Sequence, residues 1–262
     1  NEEDILEEWI EYHAKIVGYD NIHLIDNKSN DICLNILNKY KNKIHIYSED
    51  NYLKKGDYIT KLAKDLYNNN NDENMYDLVI PLDIDEFIGY NKKNELCKGI
   101  YFENIDEIKK ELNYICDNIN SYKFGRFSFS YYLTSKNNKL FCNNPCKEIT
   151  EFNKIDNNYN NKKFFKCKSI IKIDHGNHNG DVIDGNKNDY NNCNLFLYHY
   201  HFRGVKKLIE KCKNDILGLK IIKNIKDIDE LTKAINNKVY GYHNIIIYKK
   251  FIEYGPLALI EN

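Results

Sequence analysis

Leu78-Val79-Ile80-Pro81-Leu82-Asp83-Ile84-Asp85-Glu86-Phe87 is the stretch on which the reading of this chain turns. An apolar run rich in branched residues predicts a buried strand. It ends in two carboxylates one residue apart, and Gly89 reads as the turn behind them. Alternate residues of an extended strand face the same way, so Asp83 and Asp85 are expected to share a side. Open α/β sheets bind ligands just beyond the carboxyl ends of their strands. A paired carboxylate there can hold a hard divalent cation, and that cation can grip a diphosphate. The same four letters return at Asp227-Ile228-Asp229-Glu230, where the surroundings read as the first turn of a helix and the acids favour its N-terminus. The context of the first copy, not the tetrapeptide, points to a site.

Working outward, helices and strands alternate. Asn1 to Asp4 lead into a helix whose apolar face is Ile5, Leu6, Trp9, Ile10, His13, Ile16 and Val17, ended by Gly18. A short strand over 21–25 runs into the turn Asp26 to Asp31, which opens a helix through Ile32, Ile36 and Leu37. A strand over 44–47 and a helix over 52–66 precede the central strand. Beyond it come a helix over 102–119, β-rich runs over 122–132, 163–173 and 195–202, and helices over 205–216, 228–235 and 244–253. This order predicts an α/β fold with a mostly parallel sheet, flanking helices and a helical C-terminal part. The expected organisation is one domain over 1–262, with a nucleotide-binding half (1–90) and an acceptor half (91–262). Because the chain opens on a helix cap, a first strand is expected ahead of Asn1.

Lys+Arg of 38 against Asp+Glu of 39 leave a net charge of −1, which argues against a basic nucleic-acid-binding face. The Lys162-Lys163 and Lys206-Lys207 pairs read as solvated surface. No apolar run approaches the length of a bilayer span. The 8 cysteines are scattered through a chain large enough not to need staples, which points to thiols in a reducing, cytoplasmic compartment. The spacing of Cys142 and Cys146 from His175 and His178 matches no standard zinc finger. The run Asn68 to Asn74 reads as a polar loop insertion.

Several segments in order resemble a known family. Asn1-Glu2-Glu3-Asp4-Ile5-Leu6-Glu7-Glu8-Trp9-Ile10-Glu11-Tyr12-His13, Leu24-Ile25-Asp26-Asn27-Lys28-Ser29, Leu82-Asp83-Ile84-Asp85-Glu86-Phe87 and His199-Tyr200-His201-Phe202-Arg203, with Lys211 following, resemble glycosyltransferase family 2, closest to its subgroup akin to family 92. The resemblance implies a Rossmann-like GT-A fold, a nucleoside-diphosphate sugar donor with UDP as the commonest carrier, Mn²⁺ or Mg²⁺, a glycan or glycoprotein acceptor, and inversion at the anomeric carbon.

Carried over residue by residue, the resemblance puts Glu2, Asp26 and Asn27 at the nucleotide base. It puts Asp83 near ribose and metal, and Asp85 on the metal. His199 is expected as a further metal ligand or diphosphate contact with His178 behind it, and Arg203 and Lys54 or Lys55 as added positive charge. An inverting transfer also needs a carboxylate to take the acceptor proton; Glu148, Glu151 and Asp174 are the candidates in the acceptor half. Two alternatives stay open: a nucleotidyltransferase, and a GT-A domain that binds sugar or a partner without turnover.

Overall fold

The computed structural model of the chain describes residues 2–69, 76–90, 99–118, 124–126, 130–133, 144–150, 152–155, 162–183, 189–190, 193–218, 220, 222–239 and 241–259. The first elements are α1 (Leu6–Val17), β1 (His23–Asp26), α2 (Asp31–Tyr40), β2 (His45–Ser48), α3 (Lys55–Asn69), β3 (Leu78–Val79) and β4 (Glu86–Tyr90). There follow α4 (Ile105–Asn118), β5 (Phe124–Arg126), β6 (Ser130–Leu133), α5 (Pro145–Glu148), β7 (Phe152–Ile155), β8 (Lys163–Lys166) and β9 (Ile170–Ile173). The last are β10 (Gly180–Val182), β11 (Asp189–Tyr190), β12 (Leu195–His199), α6 (Val205–Gly218), α7 (Ile228–Asn236) and α8 (Tyr242–Tyr254).

The class is mixed α/β, as the alternation predicts, and the C-terminal part is helical. The sheet differs from expectation. Among the described residues the strands form small sheets with orders β1-β2, β10-β9, β11-β5-β8-β3 and β4-β12-β6-β7. Parallel pairing joins β1 to β2, β11 to β5 and β12 to β6, whereas the remaining ladders are antiparallel. A mostly parallel Rossmann-like layer is therefore not what these ladders make.

The central run accounts for part of the difference. It is two strands in two sheets: β3 pairs with β8, and β4 with β12. Pro81 has no N–H to carry a ladder onward. After it the backbone turns, Glu86 N donating to Asp83 O at 3.0 Å, and the Glu86 carboxylate accepts from Asp83 N at 2.9 Å. Asp83 and Asp85 thus lie in a turn and do not line one side of a strand. Gly89 is no turn either. It pairs with Phe196 across the ladder, and a Cβ there would stand 2.4 Å from the Phe196 ring.

Helix α1 forms because its apolar positions recur at helical spacing, with Glu7 and Glu8 in the first turn and Lys15 in the last. Its buried face covers the open edge of β4, where unpaired backbone groups need partners. Trp9 Nε1 donates to Glu86 O at 2.8 Å, and the Tyr12 hydroxyl donates to Ile88 O. The main apolar cluster draws on both halves of the chain, from Ile5, Trp9 and Leu37 through Phe87 to Phe196 and Tyr200. A second cluster joins α6, α7 and α8 through Leu208, Cys212, Leu231 and Ile245. A third packs Ala63 of α3 on Phe165, Ile170 and Ile173. No helix among the described residues is long and apolar enough to cross a membrane.

Candidate functional site

The β4–β12 ladder brings two distant motifs together. His199 lies opposite Glu86, and one step further Tyr200 N donates to Asp85 O at 2.7 Å. Tyr200 turns inward, its ring 5.1 Å from that of Phe87. By alternation the flanking residues, His199 and His201, take the other side, ring centroids 5.3 Å apart. One ligand atom from each of Asp85, His199 and His201 falls within 4.8 Å of the others, so this group could hold a metal ion.

Each acid of the turn is paired with cations, Asp83 and Glu86 sharing Lys162. Asp85, 3% exposed, accepts from Lys211 Nζ and from His199 Nε2 at 3.3 Å, with Arg203 Nη1 at 3.9 Å. Asp83 is held by Lys55 and, at 2.8 Å, by Lys162, which also lies 3.2 Å from Glu86. Burial alone would raise the pKa of both aspartates, but the cations win. Lys211, His199 and Arg203 hold Asp85 well below the usual carboxylate range, and Lys55 and Lys162 lower Asp83. For Glu86 burial wins over Lys162, and its pKa is raised. Burial, with the charges of Lys211 and His199, keeps His201 well below the ordinary imidazole value.

The cations are set by the fold. Lys55 opens α3, whose first turn is clasped to the end of β9: Thr60 Oγ1 accepts from Ile173 N at 2.9 Å, and a Cβ on Gly56 would stand 2.5 Å from Ile173 O. Lys211 projects from α6, whose adjoining face is locked into the C-terminal cluster by Leu208 and Cys212. Arg203 is fully buried between Tyr200 O (2.6 Å), Asp4 (2.7 Å) and Glu2, and so ties the N-terminal residues to the end of β12.

Apart from Arg203 and Asp4, these charged groups face a cleft of about 1530 Å³. Its lining runs along β1 and includes Asn27, Lys28 and Ser29 after β1 and Glu49 and Asn51 after β2, beyond the carboxyl ends of that parallel pair. Glu2, Asp26, Asn27, Asp83, Asp85, His178 and His199 all line it, as do Lys55, Lys162, Lys211 and His201. Asp26 also accepts from Ser29 N at 3.1 Å, and Asn27 donates to Glu49 O, so the turn after β1 is pinned.

Other expected residues are placed elsewhere. Arg203 stands behind the cleft wall, and Lys55, not Lys54, is the lysine that reaches it. Asp83 and His178 line the cleft but are not in the possible metal group, in which His201 joins Asp85 and His199. Glu148 accepts from Asn144 N at 2.9 Å, and Asp174 from His178 N and Asn179 N at 2.9 and 3.0 Å. Neither of these two lines the cleft. Glu151 lies outside the described residues.

Lys162 and Lys163 are not solvated surface but 4% and 8% exposed, and Lys207 pairs with Glu3 at 3.0 Å. Adjacent lysines carry no periodic signal that would have shown this. The His199-x-His201 spacing does carry one, since it puts both rings on one side. Compared with known proteins, the chain matches no family model and no curated sequence significantly.

Proposed function

We propose that this protein is a glycosyltransferase that moves a sugar from a nucleoside diphosphate, UDP as first choice, to a hydroxyl acceptor with inversion. The carrying observation is the meeting of Asp85, His199 and His201 at a large cleft that also presents Asp26, Asn27, Lys55, Lys162 and Lys211. The turn after β1 offers polar contacts for a base. The lysines offer charge for a diphosphate, whose negative charge grows as the sugar departs.

Asp85, His199 and His201 would hold the divalent ion. The fit is chemical: a buried carboxylate that stays ionised and an imidazole, His201, that burial keeps neutral with its lone pair available. Two imidazoles beside one carboxylate favour a transition ion such as Mn²⁺ over Mg²⁺, which prefers oxygen. When bound, such an ion neutralises diphosphate charge. Lys55, Lys162 and Lys211 orient the diphosphate, and the buried Arg203 holds Glu2 and the His199–Arg203 segment in place.

Lys211 supports a second reading, because its ammonium already occupies Asp85. The cleft would then take the diphosphate through lysines alone, without metal. Calorimetric titration with UDP, in Mn²⁺ and in chelator, decides between them. Binding that needs Mn²⁺ supports the first reading, equal binding in chelator the second. No binding of UDP or GDP in either buffer refutes both. UDP release from UDP-hexoses, lost in His201→Gln with UDP binding in chelator unchanged, assigns turnover to this site.

A further inference from the structure

An inverting transfer needs a base at the cleft, and Glu148 and Asp174 are turned to capping their own segments. We propose that Asp215 is the catalytic base, the group that takes the proton from the acceptor hydroxyl. This rests on the glycosyl-transfer reading above.

The geometry of α6 carries the argument. Residues four apart share a helix face. Lys207 reaches Glu3 and Asp4, Lys211 reaches Asp85, and Asp215 is the next position along that row. The adjoining face, with Leu208, Cys212 and Ile216, is buried in the C-terminal cluster. Asp215 lines the cleft. Its Oδ2 accepts from Asn244 Nδ2 of α8 at 2.7 Å, and among the described residues nothing donates to Oδ1. The acids of the 83–86 turn are gripped by cations, whereas Asp215 is steadied by a neutral amide, which leaves a carboxylate oxygen to act.

Its surroundings suit the role. Burial raises the pKa of Asp215, Lys211 opposes this, and the charges of Glu2, Asp85 and Asp83 add to it, giving about 6. The facing groups are thus Lys211 on its own helix, Glu2 from the N-terminal segment, the two aspartates of the turn, and neutral Asn244. A base with a pKa just below neutral is ionised in use yet still basic. In the step, the acceptor oxygen forms the new bond to the anomeric carbon and its proton passes to Asp215. The bond from that carbon to the diphosphate oxygen breaks, and its electron pair leaves with the nucleoside diphosphate.

The test measures UDP release from UDP-hexoses with Mn²⁺ and water as acceptor, in the full chain. Asp215→Asn is expected to lower kcat by about 10²–10⁴-fold with UDP affinity unchanged. The acid limb of the wild-type kcat profile should be absent from the residual activity, and Asp215→Glu should restore part of the rate with a displaced limb. An Asp215→Asn rate within a few-fold of wild type overturns the assignment, as does a fall in UDP affinity that matches the loss of rate. Should Asp215→Asn not fold, the Glu variant decides: a displaced limb supports the role, an unmoved one refutes it. A wild-type protein that binds UDP but releases none from any donor overturns this inference and the transferase reading together. An active wild type with an equally active Asp215→Asn overturns this inference alone.

Discussion

Replacing Asp85 by Asn keeps the shape of the side chain and removes its charge, which isolates what the ion pairs contribute. Asp85 is 3% exposed, and its partners Lys211 and Arg203 are 19% and 0% exposed, so Arg203 cannot recover its hydration by turning outward and Lys211 can do so only through the cleft it lines. Breaking a buried pair by removing one partner costs about 3–5 kcal/mol, because an uncompensated charge stays inside. We expect Asp85→Asn to lose stability in that range. Lys211→Met should cost less, since His199 and Arg203 still attend Asp85. The double variant should lose less than the sum of the two, with a coupling of about 1–3 kcal/mol. Urea unfolding of the four proteins at neutral pH, read by circular dichroism, measures this. The pH dependence has a definite sign. The folded pKa of Asp85 lies below its unfolded value, so the carboxylate contributes fully above about pH 4. That contribution is lost as the pH falls toward the folded value, and Asp85→Asn should lack this part of the acid limb. Additivity within about 0.5 kcal/mol would show that the two residues do not share a buried pair. The result also governs activity assays, since an inactive Asp85 variant is informative only if it is folded.

Gly89→Ala places a methyl in the Phe196 ring and should cost about 1–3 kcal/mol or more by chemical denaturation. Phe196→Leu in the same chain should return part of that loss, and no recovery would exclude the contact. Trp9→Phe leaves Glu86 O without its donor and should cost about 1–3 kcal/mol, with faster amide exchange along β4. Unchanged exchange would mean that α1 does not cover this edge. Arg203→Lys keeps the charge but cannot reproduce contacts to Tyr200 O, Asp4 and Glu2 at once, so a melting temperature well below wild type is expected. Equal melting would show that charge alone suffices.

The local elements were legible because they rest on local physics. The face of α1, the cap of α7 by Asp227 (accepting from Asp229 N and Glu230 N at 3.0 and 3.1 Å) and the C-terminal helices follow from spacing and capping. The pairing of strands was not, because a ladder partner is a long-range choice. Nothing in Leu78 to Phe87 says that its first residues pair with β8 and its last with β12, although Pro81 marks the break. The acids stood out as a close pair after an apolar run, although they lie in a turn, and His199 entered through the resemblance with His201 two residues on. Lys55 was named only as an alternative to Lys54, and Lys162 answers to no pattern, since any lysine near in space would serve. Asp215 was hidden for a similar reason: its role depends on the neighbours that α6 acquires on docking, not on the letters around it.

The charges at the cleft also join parts of the fold. Asp83, Asp85 and Glu86 lead into β4, whose Phe87 and Ile88 are in the main cluster, Lys211 belongs to the helix of the second cluster, and Lys55 opens the helix of the third. A diphosphate that drew Lys211 and Lys55 to itself would therefore take counter-ions from buried Asp85 and half-buried Asp83, and the cost would fall on the joints between clusters. A divalent ion held by Asp85 and the two histidines would return the lost charge. On the proposed function, then, metal and nucleoside diphosphate should bind synergistically, and by linkage each should tighten the other by the same factor. Titrating UDP at several Mn²⁺ concentrations, and Mn²⁺ at several UDP concentrations, measures both factors. Lys211→Met should shrink them, because in that variant Asp85 has no ammonium to lose. UDP affinity that is independent of Mn²⁺ would separate the lysines from the metal group and leave the cleft as an anion site alone.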